Sequence, residues 1–264
     1  MARIFFKKDG QKPSVFASLG LTTACIALLA LVAAGPVVQT GVFGNPNSAE
    51  IYDLQLKLIW VAFRLVIVAA VFTATGVIHG RLSSRARTSW RALAAALMTV
   101  SVGWPSGQIL YDLRYGPTLH DISTRPTALL NFTNLPERQY DSASPLDILG
   151  SRHEEQYLAK LMAAYPGLGS IPLAGTVEES TNTAMEEMRR LGWNIVFGDT
   201  ASGHIEAIHT SLWFGFRSFI LVKVRAIDAV SFLDIRTVSE MGHTDRGTGI
   251  KLIGKLRSGL NQSG

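Results

Sequence analysis

The sequence predicts an α+β fold behind a membrane anchor. Three transmembrane helices occupy residues 1–112, and an antiparallel-sheet domain over residues 113–264 has two helices before its main strands and one after them. Three observations carry this prediction. Val15–Val38 contains no charged residue. Apolar and polar residues alternate with period two from Trp193 to Ser239, between turns rich in Gly, Ser and Asp, the pattern of half-buried strands. The charge is split: residues 1–114 hold 11 Lys and Arg against 4 Asp and Glu, and the rest hold 14 against 16.

The anchor begins with a short basic segment carrying Arg3, Lys7, Lys8 and Lys12. The run that follows, about residues 15–38, is long enough to cross ~30 Å of hydrocarbon. A cleaved signal peptide is the competing reading, but the run exceeds the usual apolar region of roughly 7–15 residues. A second span covers about residues 56–78 and carries Lys57 and Arg64. Arg64 either snorkels to the nearer interface on its long stem or pairs with Glu50 or Asp53. A loop with Arg81, Arg85, Arg87 and Arg91 precedes a third span at about residues 92–111, which contains Pro105 between Gly103 and Gly107. That Gly pair, four residues apart, permits close helix approach.

In the second half, Leu119–Thr124 reads as a short strand, residues 125–149 as irregular chain and Glu154–Ala164 as a helix stopped at Tyr165-Pro166-Gly167. Pro172–Gly175 reads as a turn. Thr176 and Glu179 form a capping box, and Val177, Thr181, Ala184, Met185, Met188 and Leu191 make one helical face ending at Gly192. Strands follow over Trp193–Gly198, His204–Thr210, Ser218–Ile227 and Ser231–Ser239. A helical run to Leu260 closes the domain.

The net charge of +5 belongs to the apolar half. It therefore speaks for membrane orientation and against a nucleic-acid partner. Basic segments at 1–12 and 80–91 place the N-terminus in the cytoplasm, and three spans then place the C-terminal domain outside it, in the periplasm of a bacterial inner-membrane protein. Cys25 is the single cysteine, which excludes an intrachain disulfide framework or a Cys-based metal site. Nothing in the chain implies a cofactor.

Several residues recur in a known arrangement: Asp121-Ile122-Ser123-Thr124, Ala164-Tyr165-Pro166, Leu191-Gly192-Trp193 and the closing run Asp234-Ile235-Arg236-Thr237-x-Ser239-x-x-Gly242-x-x-Asp245-x-Gly247. With these, residues 119–264 resemble the bacterial and plastid domain-of-unknown-function family numbered 1499, whose members often follow membrane spans. The resemblance implies an envelope location and no particular reaction. Arg125, Ser218, Phe219, Glu240, Gly249 and Leu252 stand where that family usually has other residues.

Four groups are candidates for a site. Lys223, Arg225, Asp234 and Arg236 share strand parity across a hairpin. They form either a cationic face gripping a carboxylate or phosphate, with Asp234 orienting Arg225 and Arg236, or an ordinary solvated sheet face. Ser239, His243 and Asp245 sit where the last strand turns into the last helix, and are either a hydrolase triad or turn and helix-cap residues. His204, Glu206 and His209 do not converge as metal ligands, because His209 faces away from the other two on a strand. His120 and Asp121 serve either acid–base chemistry or a local turn. The expectation is a membrane-anchored cell-envelope protein whose domain binds a ligand or partner without catalysis, at Arg225, Asp234, Arg236, Ser239 and Asp245. The bilayer is its first partner, and an anionic lipid or an envelope protein is the second. An envelope hydrolase and a structural subunit of a membrane complex are the alternatives. Strand, helix and sheet order is reminiscent of helix-grip lipid-binding folds, which would place a pocket between the sheet and the last helix.

Overall fold

The structure, a computed structural model, describes residues 12–83, 86–87, 89–128, 130–135, 154–228, 230–242 and 244–263. The chain divides into two compact units, residues 1–114 and 115–264. The fold is α+β: long apolar helices come first and an antiparallel sheet with further helices follows.

In the first unit, three helices among the described residues are long and apolar enough to cross a membrane. Helix α1 (Val15–Val32) runs into a π-helical turn at Ala33–Val37 that accommodates Pro36. Helix α2 is Ala49–Leu82 and α3 is Trp90–Tyr115. Both outrun the apolar stretches that announce them. Composition marks the hydrocarbon-crossing part, whereas helix ends follow capping: Ser48 Oγ accepts from the Ile51 N–H at 3.4 Å, with Glu50 in the first turn. A short parallel pair, β1 (Lys12–Pro13) with β2 (Ala86–Arg87), joins the residues before α1 to those after α2.

Small residues set the helix contacts. A Cβ on Gly20 would lie 2.6 Å from Thr73 Oγ1, and one on Gly76 would lie 2.6 Å from the Ala17 nitrogen. Without a hydrophobic force between helices in lipid, such close backbone approach is what holds them. Gly103 and Gly107 of α3 instead leave room for the Val66 and Phe63 side chains of α2: a Cβ on each would lie 2.8 Å from Val66 Cγ1 and 3.1 Å from Phe63 Cε2. Arg64 lies over the Trp60 ring at 5.8 Å, one turn towards the start of α2.

In the second unit, β3 (Asp121–Ser123), β8 (Val230–Ser239), β7 (Arg217–Ile227), β6 (His204–Thr210) and β5 (Asn194–Asp199) form the sheet in that order. Strand β4 (Ile171–Leu173) shares the β8 edge with β3 and pairs with Ser231–Leu233. The Pro172–Gly175 turn thus begins as a strand. Pro172 and Gly175 read as turn residues, but an edge strand tolerates a proline whose missing N–H the ladder does not need. The helices α4 (Glu154–Ala164), α5 (Val177–Arg190) and α6 (Thr248–Ser263) supply the apolar cover. Leu161, Ala184, Met188, Leu252, Ile253, Leu256 and Leu260 pack on Ile122, Ile205, Ala207, Ile220, Val222, Val224, Leu233 and Ile235. The Thr176–Glu179 capping box opens α5, and Gly192, at φ +75°, ends it before Trp193.

Candidate functional site

The period-two pattern puts the opposite set of strand residues on the second face of the sheet. Register aligns Lys223 with Asp234, Arg225 with Phe232, Leu221 with Arg236 and Glu206, and Ser123 with Arg236. The sequence allows this face to be solvated. The structure buries it: Asp234 is 0% and Arg236 4% exposed. Residues 130–135 hold its charged groups from above. Arg236 donates to the Leu130 carbonyl at 2.7 Å and stacks on Phe132, and Phe132 also meets Phe219 edge-on.

The charges on this face divide into separate pairs. Arg236 grips Asp121 in bidentate fashion, Nε to Oδ1 at 3.0 Å and Nη2 to Oδ2 at 2.7 Å. Arg225 Nε donates to Asp234 Oδ2 at 2.7 Å, Ser170 Oγ donates to Asp234 Oδ1, and Arg125 stands 3.7 Å away. Asp234 therefore orients Arg225, and Asp121, which lies 115 residues earlier in the chain, takes Arg236. Lys223 donates instead to the Ser202 carbonyl at 2.8 Å. Tyr157 donates to the Asp121 carbonyl, and burial followed by the Asp121 charge pushes its phenol well above the usual range.

Glu206, fully buried, fastens the covering segment. Its carboxylate accepts from the backbone N–H groups of Thr133, Asn134 and Leu135 at 2.6, 2.9 and 2.9 Å and from the Thr133 hydroxyl at 2.7 Å. His204 Nε2 lies 2.8 Å from the same carboxylate. Burial pushes the carboxyl up, but the bonds from His204, Thr133 and Asn134 outweigh it and hold it at about 2. Among the described residues, no three His, Cys, Asp or Glu are grouped to hold a metal.

At the sheet-to-helix turn, the Ser239 hydroxyl donates to the Met241 carbonyl at 2.7 Å. Asp245 accepts from Gly247 N–H at 2.8 Å and Gly249 N–H at 2.7 Å, fixing the first turn of α6. Burial pushes its carboxyl up, against the pull of those N–H groups. A Cβ on Gly249 would strike Thr237 Oγ1 at 2.3 Å, so glycine lets the cap close. His243 lies outside the described residues. His120 is buried, and its carbonyl accepts from Ser239 N–H at 2.8 Å, beside the Asp121 pair.

The face of the domain that carries available charge is elsewhere. An open groove of about 690 Å³ runs between the end of α5 and α6, lined by Arg190, Leu191, His209, Lys251, Leu252 and Lys255 among others. Lys251 and Lys255 are exposed, one turn apart on α6, and both border the groove. Arg190 is tied to Glu187 through two bonds of 2.6 Å. His209 enters from β6, and its buried Nδ1 has no hydrogen-bond partner among the described residues. Burial and the nearby Lys255 push its pKa below the ordinary range. Lys251 and Lys255 beside the His209 imidazole, over Leu191 and Leu252, suit a ligand with an anionic head and an apolar body. The sequence signal for this groove is the Lys251–Lys255 spacing on the last helix, together with Arg190 at the end of α5. Each is ordinary alone, and the groove exists only once α5 and α6 pack side by side.

Comparison with protein families, curated proteins and solved structures finds no match to this chain.

Proposed function

We propose that this is a membrane-anchored cell-envelope protein whose α+β domain binds an anionic amphiphile in the groove between α5 and α6. One observation carries the reading: Lys251 and Lys255 border an open groove with apolar walls and their side chains make no hydrogen bond or ion pair among the described residues, whereas Asp121, Asp234, Glu206, Asp245 and Arg236 are each bound to a partner in the fold. The first set is placed to take a ligand and the second to hold structure. The proposal includes a cytoplasmic N-terminus and a domain outside the cytoplasm, supported by the basic segments at 1–12 and 80–91. It also includes kinship with the domain-of-unknown-function family numbered 1499, supported by the roles of its motif residues: Asp121 pairs with Arg236, Gly192 ends α5, and Asp245 caps α6.

The test is calorimetric titration of the full chain in phosphatidylcholine nanodiscs. The probes are dihexanoylphosphatidic acid and, as control, dihexanoylphosphatidylcholine. The acid should bind and lose affinity with added salt. Lys251→Gln with Lys255→Gln should abolish that binding while melting within about 0.5 kcal/mol of wild type, as exposed substitutions do. Equal affinity in the folded double variant contradicts the reading. A reporter active only outside the cytoplasm, fused after Gly264, should be active; activity of a cytoplasmic reporter there contradicts the orientation.

A further inference from the structure

Arg64 stands on α2 with its side chain exposed. Among the described residues it makes no hydrogen bond or ion pair, with Glu50, Asp53 or any other, and its guanidinium carbon lies 5.8 Å from the centre of the Trp60 ring.

Contacts between α1 and α2 fix the depth of this cation. Gln55 Nε2 donates to the Ala34 carbonyl at 2.9 Å, and further along the pair Gly20 packs against Thr73. Arg64 is nine residues from Gln55 and nine from Thr73. It therefore stands level with Ala27, midway between Gly20 and Ala34. Ala27 is also the middle of Val15–Val38, the stretch without charge. A membrane-spanning α1 thus carries Arg64 to the centre of the hydrocarbon, roughly 15 Å from either surface. The guanidinium reaches Trp60, one helical turn or about 5.4 Å towards the start of α2. Snorkelling on that scale falls well short of the headgroups. A cation at such depth is costly, and residues of this kind face a bundle interior or a partner.

The surface around Arg64 is shaped for a helix. Lys57, Trp60, Arg64, Ile67, Val71 and Ala74 are all exposed, and they recur at alternating intervals of three and four residues. That spacing is the seam that a left-handed pair of helices buries. The residues that α2 does bury, among them Ile59, Ala62, Val66 and Thr73, line its other side, where α1 and α3 pack. A second copy of this chain does not neutralise the seam. The acids among the described residues of this unit are Glu50, Asp53 and Asp112. The first two lie at least eleven residues, about 16 Å, from Arg64 along α2. Asp112 lies beyond Gly107 on α3, which runs antiparallel to α2, and so belongs to that same end. Two copies share one orientation in the bilayer, and their seams would set one Arg64 against another.

We propose that this face of α2 binds a transmembrane helix of a different membrane protein, through an aspartate or glutamate that the partner carries at mid-membrane and that pairs with Arg64. The planar guanidinium takes a carboxylate through two parallel N–H donors, and Trp60 beside it holds the head in place. Helices in lipid gain little from the hydrophobic effect, so one charged pair within an apolar seam selects both partner and register. The inference rests on the membrane-spanning reading of α1, α2 and α3.

The test uses the full chain with Cys25→Ala and a donor fluorophore on Val42→Cys, a site exposed ahead of α2. The chain is reconstituted in phosphatidylcholine vesicles with acceptor-labelled synthetic transmembrane helices of Leu and Ala that carry Asp, Lys or no polar residue at the centre. Energy transfer to the Asp helix should exceed transfer to the apolar helix several-fold at equal dilution in lipid. Arg64→Leu should bring it down to the apolar level, and Arg64→Asp should gain transfer to the Lys helix. Transfer to the Asp helix that Arg64→Leu leaves unchanged overturns the proposal. Wild-type transfer to the Asp helix no greater than to the apolar helix also overturns it, and leaves Arg64 to lipid phosphate. Transfer between donor- and acceptor-labelled copies of the chain that Arg64→Leu abolishes overturns it in favour of self-association. Chain that alkaline carbonate strips from the vesicles removes the membrane-spanning reading and the proposal with it.

Discussion

The two faces of the sheet are covered by different physics. One face is sealed by helices: α4, α5 and α6 lay apolar side chains on Ile122, Ile220, Val222, Leu233 and Ile235. The other carries Asp121, His204, Glu206, Lys223, Arg225, Asp234 and Arg236, and its cover holds on by hydrogen bonds and ion pairs. Residues 130–135 donate three N–H groups to Glu206 and receive one bond from Arg236. The difference teaches that the alternating polar residues of a strand need not meet water. A buried charge is costly unless paired, and here the described pairs supply geometry as well as charge, the bidentate Arg236–Asp121 contact above all. The apolar face tolerates loss of atoms in proportion to volume, while the charged face fails when one partner is taken from a pair.

The largest effect follows from that asymmetry. Arg236→Met should cost about 3–5 kcal/mol in chemical denaturation, because it leaves the fully buried Asp121 carboxylate without its charged partner. Adding Asp121→Val should return much of the loss. If the single variant melts like wild type, the face is wetter than described. On the apolar face, Leu233→Ala should cost about 3 kcal/mol through lost contacts and the cavity left behind, and no second substitution on the charged face should rescue it.

Acid should separate the faces again. Glu206 is held at about 2 in the fold against an ordinary value of 4.5. Its folded pKa is depressed, so its contribution is present in full above about pH 4.5 and is lost as the pH falls towards 2. The lost contribution reaches about 3 kcal/mol at most. Denaturation curves of wild type should lose stability across that window, and Glu206→Gln should flatten the dependence. An unchanged acid slope in the variant assigns the loss to other carboxylates.

What was legible in the sequence was local. The capping box at Thr176–Glu179, the stop at Gly192, the strands from Trp193 to Ser239 and the three apolar helices all announce themselves within a few residues. The charged face was not legible, because its burial depends on a cover with no periodicity and on partners far away. Arg236 meets Asp121 across 115 residues, and Glu206 meets Leu135 across 71. Asp234 does bond Arg225, as strand parity allowed, but its other partner, Ser170, comes from outside the hairpin. Read as alternation, these residues look like any solvated strand face. The groove was hidden for the same reason, since Arg190, His209 and Lys251 come from three elements that only packing brings together.

The central claim is that a buried carboxylate holds residues 133–135 down over the charged face. Amide hydrogen exchange on the full chain in detergent micelles tests it most directly. The amides of Thr133, Asn134 and Leu135 should exchange far more slowly than exposed loop amides, and Glu206→Ala should release all three while the β7–β8 ladder stays protected. Exchange of those three amides at the rate of an unstructured peptide in folded wild-type protein would contradict the account.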